Sequence, residues 1–411
     1  MTAAGHRDRS WYAIGGMAAL GVPGVVMRLG GFHPDPIFDS IIFGIAILGA
    51  AFLLSWGAEA SEMDISQGMA LAVIALIAVL PEYAVDAVLA WKAGADPAQA
   101  EKGLAIANMT GGNRLLIGVA WPLVFVLFFY RTKIKELVVD RQRALELTFL
   151  AIATAYVIFI PLRNHVTLID TMVLVSMFGC YVFFTARQES EEVELVGPAR
   201  SIGHMPKRKR RVSIIVLLVY SASVIFASAE PFADGLVETG EKLGISEFLL
   251  IQWVAPLASE APEVLIASLL AWRGRAAVGM GALISSKVNQ WTLLIGTLPI
   301  AFSLSAGEFH LTGGLPLDDR QREEIFLTAA QSAFAIAVFA NLKMGKAEAL
   351  LLFVLFATQL FITNEQVRIW YAAAYTALCV VLLVLNWRDV RETSLTAWAL
   401  LRGRRIEPRE D

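Results

Sequence analysis

The chain has 411 residues, of which 57% are hydrophobic and 17% charged, with 34 basic against 37 acidic side chains. Soluble domains carry about a quarter charged residues, so a mean hydropathy of +0.61 excludes a soluble enzyme, a nucleic-acid binder and a disordered scaffold. The near balance of charge names no partner.

Apolar residues come in blocks of about 18 to 25, enough to cross roughly 30 Å of hydrocarbon. The predicted spans are about 11–29, 38–60, 66–92, 103–130, 145–162, 166–186, 212–237, 246–272, 276–305, 324–341, 347–363 and 368–387. His6, Arg7 and Arg9 precede the first span, but no clear small-residue cleavage site follows it, so it reads as an uncleaved helix. Basic residues gather on the cytoplasmic side. The run Lys207-Arg208-Lys209-Arg210-Arg211 marks that side after the sixth span. Arg131, Lys133, Lys135, Arg141 and Arg143 then fall on it, as do Arg273 and Arg275, Lys343 and Lys346, and the tail with Arg388, Arg391, Arg402, Arg404 and Arg405. A multi-pass protein of the cell membrane with both termini cytoplasmic is expected. The loop with Glu308, Asp318, Asp319, Glu323 and Glu324 is expected outside. Residues 187–211 form the linker, acidic at Glu189, Glu191, Glu192 and Glu194 and basic at its end, and read as a solvated loop that sets topology. Cys180 and Cys379 lie in apolar spans and imply no disulfide framework.

An internal repeat is present. Residues 80–92 read LPEYAVDAVLAWK and residues 261–273 read APEVLIASLLAWR. Pro81-Glu82 matches Pro262-Glu263, and Leu89-Ala90-Trp91 matches Leu270-Ala271-Trp272, at a constant offset of 181 residues. Upstream, Ile65-Ser66 recurs as Ile245-Ser246. Downstream, each copy leads to a small, polar stretch expected to break an apolar span: Asn108-Met109-Thr110-Gly111-Gly112-Asn113 and Ser285-Ser286-Lys287-Val288-Asn289-Gln290. The third span runs inside to outside and the eighth runs back, so the copies are inverted. Inverted repeats with interrupted helices are the architecture of many secondary transporters.

Glu82 lies about sixteen residues into its span and Glu263 about seventeen into its own. A carboxylate at mid-membrane costs at least about 3 kcal/mol on insertion scales, so it is kept where it faces a cavity, binds a cation or takes up a proton. The preceding proline removes a backbone N–H and frees a carbonyl oxygen. Carboxylates, carbonyls and hydroxyls together make the oxygen shell that hard cations prefer.

These residues resemble the calcium/cation antiporter superfamily, which includes the sodium/calcium exchangers. Its two inverted repeats carry a pattern close to G-T-S-x-P-E followed by G-N-x-x-G-S-N-x-x-N. The resemblance covers residues 38–363 and implies a ten-helix core in which Glu82 and Glu263 bind the transported ions, helped by Ser259, Glu260, Asn113 and Gln290. It also implies transported cations, Ca²⁺ with Na⁺ or H⁺, rather than a bound cofactor. The pattern departs at Ala78 and Val79, which replace both hydroxyls of the first repeat, and at Lys287, which stands where an asparagine is expected. The Pro122/Pro299 spacing sets Asn113 opposite Gln290 and Thr110 opposite Lys287. Asp86, Asn108, Thr110 and Lys287 are read as modulating the site. Two readings of Lys287 stand: a salt bridge to Glu260, or an ammonium in the space a second or third cation takes in the exchangers. Arg114 is expected to cap the polar break or pair with Asp86.

The reading is an all-α polytopic membrane protein: an N-terminal extra helix (1–37), two repeat halves (38–186 and 212–363) around the linker (187–211), and an extra C-terminal helix with a cytoplasmic tail (364–411). No nucleotide-binding loop or Ser/His/Asp constellation appears, so the chain is read as a cation antiporter and not an enzyme. Its partners are inorganic cations and the lipid bilayer, with no nucleic acid and no obligate protein partner. The alternatives are a Na⁺/H⁺ exchanger on the same fold, or a channel or transport-dead regulatory protein with Lys287 blocking the site.

Overall fold

A chain in hydrocarbon must satisfy every backbone N–H and C=O within itself, which turns apolar runs into helices. The computed structural model describes residues 3–61, 63–64, 79–188, 195–360, 362 and 364–403. In chain order the helices are α1 (Ala3–Gly30), α2 (Pro36–Ser61), α3 (Leu80–Ala95), α4 (Pro97–Lys102), α5 (Leu104–Leu115), α6 (Trp121–Thr132), α7 (Ala144–Val157), α8 (Leu168–Thr185) and α9 (Pro198–Gly203). They continue as α10 (Lys207–Leu243), α11 (Glu247–Trp272), α12 (Ala276–Asn289), α13 (Ile295–Ala306), α14 (Asp319–Val338), α15 (Lys346–Gln359), α16 (Glu365–Leu385) and α17 (Trp387–Leu401). Among the described residues, nine helical segments are long and apolar enough to cross a membrane. The predicted spans coincide with helices, although most of the third span's first half, including Ile65, Ser66 and Ala78, lies outside the described residues.

Two expectations are corrected. The polar stretches do not interrupt their spans. Asn108 to Asn113 lies within α5, and the helix continues into α6 through a wide π turn, Leu116–Ala120. Ser285 to Asn289 likewise lies within α12, followed by a π turn at Gln290–Leu294 that leads into α13. Continuous helix keeps the backbone bonds closed, and the departure from regular winding is confined to one widened turn. Nor is the linker all solvated loop. Its described second half forms α9, whose Ala199 and Ile202 are buried against Ile14, Leu53 and Trp56. The acidic residues 189–194 lie outside the described residues.

The chain divides into two compact units, 1–89 with 189–262 and 90–188 with 263–411, and two of the three cuts fall inside the Pro-Glu helices α3 and α11. In the first unit α1 packs on α2 and α10. Their backbones approach closely because small residues line the contact. A Cβ on Gly235 would stand 2.8 Å from Ser40 Oγ and 2.9 Å from Ser40 N. Ser40 also bonds Thr239 at 3.2 Å, and Tyr220 donates to Ala18 O at 2.5 Å. Near the ends of these helices Asp64 accepts from Arg210 at 2.7 and 2.9 Å and from Arg211 at 3.2 Å. Asp64 is therefore ion-paired, and Glu62 beside it lies outside the described residues.

The second unit is centred on Trp121, Phe334, Phe339, Leu352 and Tyr375, with Trp121 edge-on to Phe339 at 5.3 Å. Two short antiparallel pairs close its ends: β1 (Glu136–Val138) with β4 (Lys343–Gly345), and β2 (His165–Thr167) with β3 (Gly314–Pro316). Each pair joins two loops that charge patterning places on one side of the membrane.

Two measurements check this architecture. Gly235→Leu forces α2 and α10 apart and is expected to cost about 1–3 kcal/mol, seen as a lower unfolding temperature of the purified protein. The Asp64 carboxyl is held down from 3.8 to about 2, chiefly by its hydrogen bond from Arg210, against the opposing effect of burial. A carboxyl held low contributes stability that is complete above its unfolded value and lost as pH falls toward its folded one. Asp64→Asn should therefore destabilise at neutral pH and lose that effect as pH falls from about 4 to 2, followed by unfolding across a pH series.

Candidate ion site

Each unit carries part of the residue set singled out from the sequence. In the first unit, Glu82 and Asp86 lie one turn apart on α3, on the same helix face, and both are buried. Ser259 and Glu260 are buried on α11, where Ser259 Oγ donates to the carbonyls of Ala255 and Pro256 at 3.4 Å. Pro256 and Pro262 both lie inside α11. Pro262 has no N–H to give to the Ala258 carbonyl one turn back, so that oxygen loses its regular helical donor.

In the second unit, Glu263 on α11 is half-buried, and Ser286 of α12 stands beside its carboxyl. Asn108, Thr110, Asn113, Lys287 and Gln290 are all buried. Thr110 Oγ1 donates to Ile106 O at 2.7 Å, so its hydroxyl is turned onto its own helix. Asn113 Nδ2 donates to Met109 O at 2.8 Å. Lys287 donates to Asn113 Oδ1 at 2.6 Å and to Asn113 O at 3.2 Å. Its ammonium also lies 4.4 Å from the Trp291 ring centroid, within the range of a cation–π contact. The sequence set Asn113 opposite Gln290; the structure joins it to Lys287. Two asparagine oxygens that could have coordinated an ion in fact hold an ammonium.

Arg114, expected to cap the polar break or pair with Asp86, pairs with Glu324 of α14 at 2.6 Å, and Glu324 also pairs with Arg368 of α16 at 2.6 Å. All three are at most 5% exposed. Glu324, expected in an outer acidic loop, is thus an internal counter-charge. Gln331 donates to the Arg114 carbonyl at 3.4 Å and accepts from Gln359 at 3.4 Å. Sequence reading missed Glu324 and Arg368 because each stands at a span edge, where a charge normally meets water. The available signal was Arg114 itself, since a mid-span arginine demands a buried partner. Glu230 pairs with Arg28 at 2.5 Å and is partly exposed.

Paired Pro-Glu helices within an all-α membrane protein, each with a polar helix downstream, mark a transporter rather than an enzyme. The profile of the family described as sodium/calcium exchanger protein matches residues 37–187 and 213–387, and the chain belongs to that family. A crystal structure named H⁺/Ca²⁺ exchanger CAX is similar over 96% of this chain and 99% of its own, with 41% identity and a TM-score of 0.91. Native YfkE (15% identity, TM-score 0.61, 88% of this chain and 100% of that one) shares the fold. So does the sodium-calcium exchanger NCX_Mj (18%, 0.52, 83% and 99%). CaxA of Alkalimonas amylolytica, which is named as an antiporter, is 26% identical over 106 residues, a match spanning 26% of this chain and 33% of CaxA.

Removing one partner of a buried ion pair leaves an uncompensated charge and costs about 3–5 kcal/mol. Glu324→Gln, which strands two arginines, is expected to lower thermal stability more than Arg28→Gln at its partly exposed pair, compared by unfolding in the same detergent.

Proposed function

We propose that this protein is a secondary-active antiporter that moves Ca²⁺ across the cell membrane in exchange for H⁺, with both termini cytoplasmic. Glu82 and Glu263 are the ion-binding carboxylates, one from each repeat. Ser259, Glu260 and Gln290 supply further oxygens, and Asp86, Asn108 and Thr110 shape their surroundings. A carboxylate can release a proton as it takes up a cation and regain it on the other face, so the same groups carry both ions in turn. The observation that carries the reading is the Lys287 ammonium on Asn113, at 2.6 Å. A lysine amine then stands where the family resemblance expects an oxygen for a transported cation, which disfavours loading several Na⁺ ions. The likeness to the H⁺/Ca²⁺ exchanger CAX supports the same choice.

Flux into sealed vesicles tests this. Ca²⁺ uptake is expected when the lumen is acid relative to the bath, to rise with external pH, and to be indifferent to an opposing Na⁺ gradient. Glu82→Gln and Glu263→Gln should each reduce uptake to the empty-vesicle level while the protein still folds. Lys287→Asn should bring in a dependence on Na⁺. Uptake driven by Na⁺ and not by pH overturns the coupling, uptake without any counter-ion makes the protein a channel, and wild-type rates in either glutamine variant overturn the assignment of the carboxylates.

A further inference from the structure

The second unit gathers the ends of several helices into a basic, aromatic patch. Tyr130, near the end of α6, stacks on Trp272, the last residue of α11, with centroids 6.1 Å apart and planes 17° from parallel. Both rings are exposed, at 66% and 45%. Lys133 Nζ lies 4.6 Å from the Tyr130 centroid and 6.0 Å from that of Phe129. Lys346 Nζ lies 3.8 Å from the Phe129 ring centroid, so one ring lies near two ammoniums. The β1–β4 pair is what brings Lys346 there from a distant part of the chain. Among the described residues neither Lys133 nor Lys346 is paired with a carboxylate, and the same holds for the neighbouring Arg131 and Arg273. Glu136, the acid closest in the chain to Lys133, pairs with Lys343 at 3.5 Å.

Lys133 carries a second sign. It caps α6 with a φ of 63°, in the left-handed region that glycine occupies without cost. A side chain kept in a disfavoured backbone conformation points to a use for that side chain. Amphipathic rings at the ends of spanning helices sit at the level of lipid headgroups, and basic residues there attract anionic lipid.

We propose that Lys133, Lys346, Tyr130 and Trp272 form a binding site for the headgroup of an anionic phospholipid: the ammoniums take the phosphodiester, and the stacked rings lie against the glycerol and upper acyl chains. None of the four residues is among those assigned to ion binding, and the proposal does not depend on which ion is carried.

Native mass spectrometry of the purified protein, offered equal phosphatidylglycerol and phosphatidylcholine, tests it. The wild type is expected to retain phosphatidylglycerol preferentially, and added salt to reduce the preference. Lys133→Gln with Lys346→Gln should weaken retention on the order of tenfold, as two surface cations imply, whereas the double arginine variant should keep it. Lys133→Gly relieves the backbone conformation, so it should unfold no earlier than wild type yet lose part of the preference. Equal retention of both lipids by the wild type, or an unchanged preference in the double glutamine variant, overturns the proposal. So does displacement of the lipid by soluble glycerol phosphate at matched concentration, which would make the patch a general anion site.

Discussion

A charge stays inside a membrane protein only where something replaces its lost hydration, and this constraint explains most of the internal chemistry described above. Glu324 is bracketed by Arg114 and Arg368 at 2.6 Å each. Lys287 has two oxygens of Asn113 and the face of Trp291. Under the proposed function the same requirement gives the Pro-Glu pair its meaning, since carboxylates and proline-freed carbonyls are the oxygens that a hard cation prefers. A residue set assembled for packing alone would have had no use for these groups.

Much of the fold was legible in the sequence. Apolar runs longer than eighteen residues admit one structure in lipid, so spans such as 38–60 and 145–162 reappear as α2 and α7 with ends shifted by only a few residues. The basic loops around Lys133 and Lys343, which charge patterning put on one side, meet as β1 and β4. Polarity was less faithful. Gly111, Gly112 and Asn113 read as a break, yet they are helical and buried, because small residues let helices pack closely and a side-chain amide can bond its own helix. The π turns that follow left no compositional trace.

The site was legible as residue types and less so as partners. Pro81-Glu82 and Pro262-Glu263 announce themselves by repetition at one offset. The bond from Lys287 to Asn113 could not be read that way, because pseudo-symmetry aligns Asn113 with Gln290 and says nothing of a side chain long enough to cross to a neighbouring helix. Likewise Arg114 gave notice of a buried counter-charge without saying that it would come from α14, more than two hundred residues downstream.

The Arg114–Glu324–Arg368 triad changes the standing of the last long helix. In the sequence reading α16 is an addition to a ten-helix core, although the family profile extends to residue 387. Its Arg368, however, shares an acid with a helix of the first repeat. Shortening the chain ahead of α16 would subtract one of the two cations that hold Glu324, and a lineage could shed the appendage only by rewriting the interior with it.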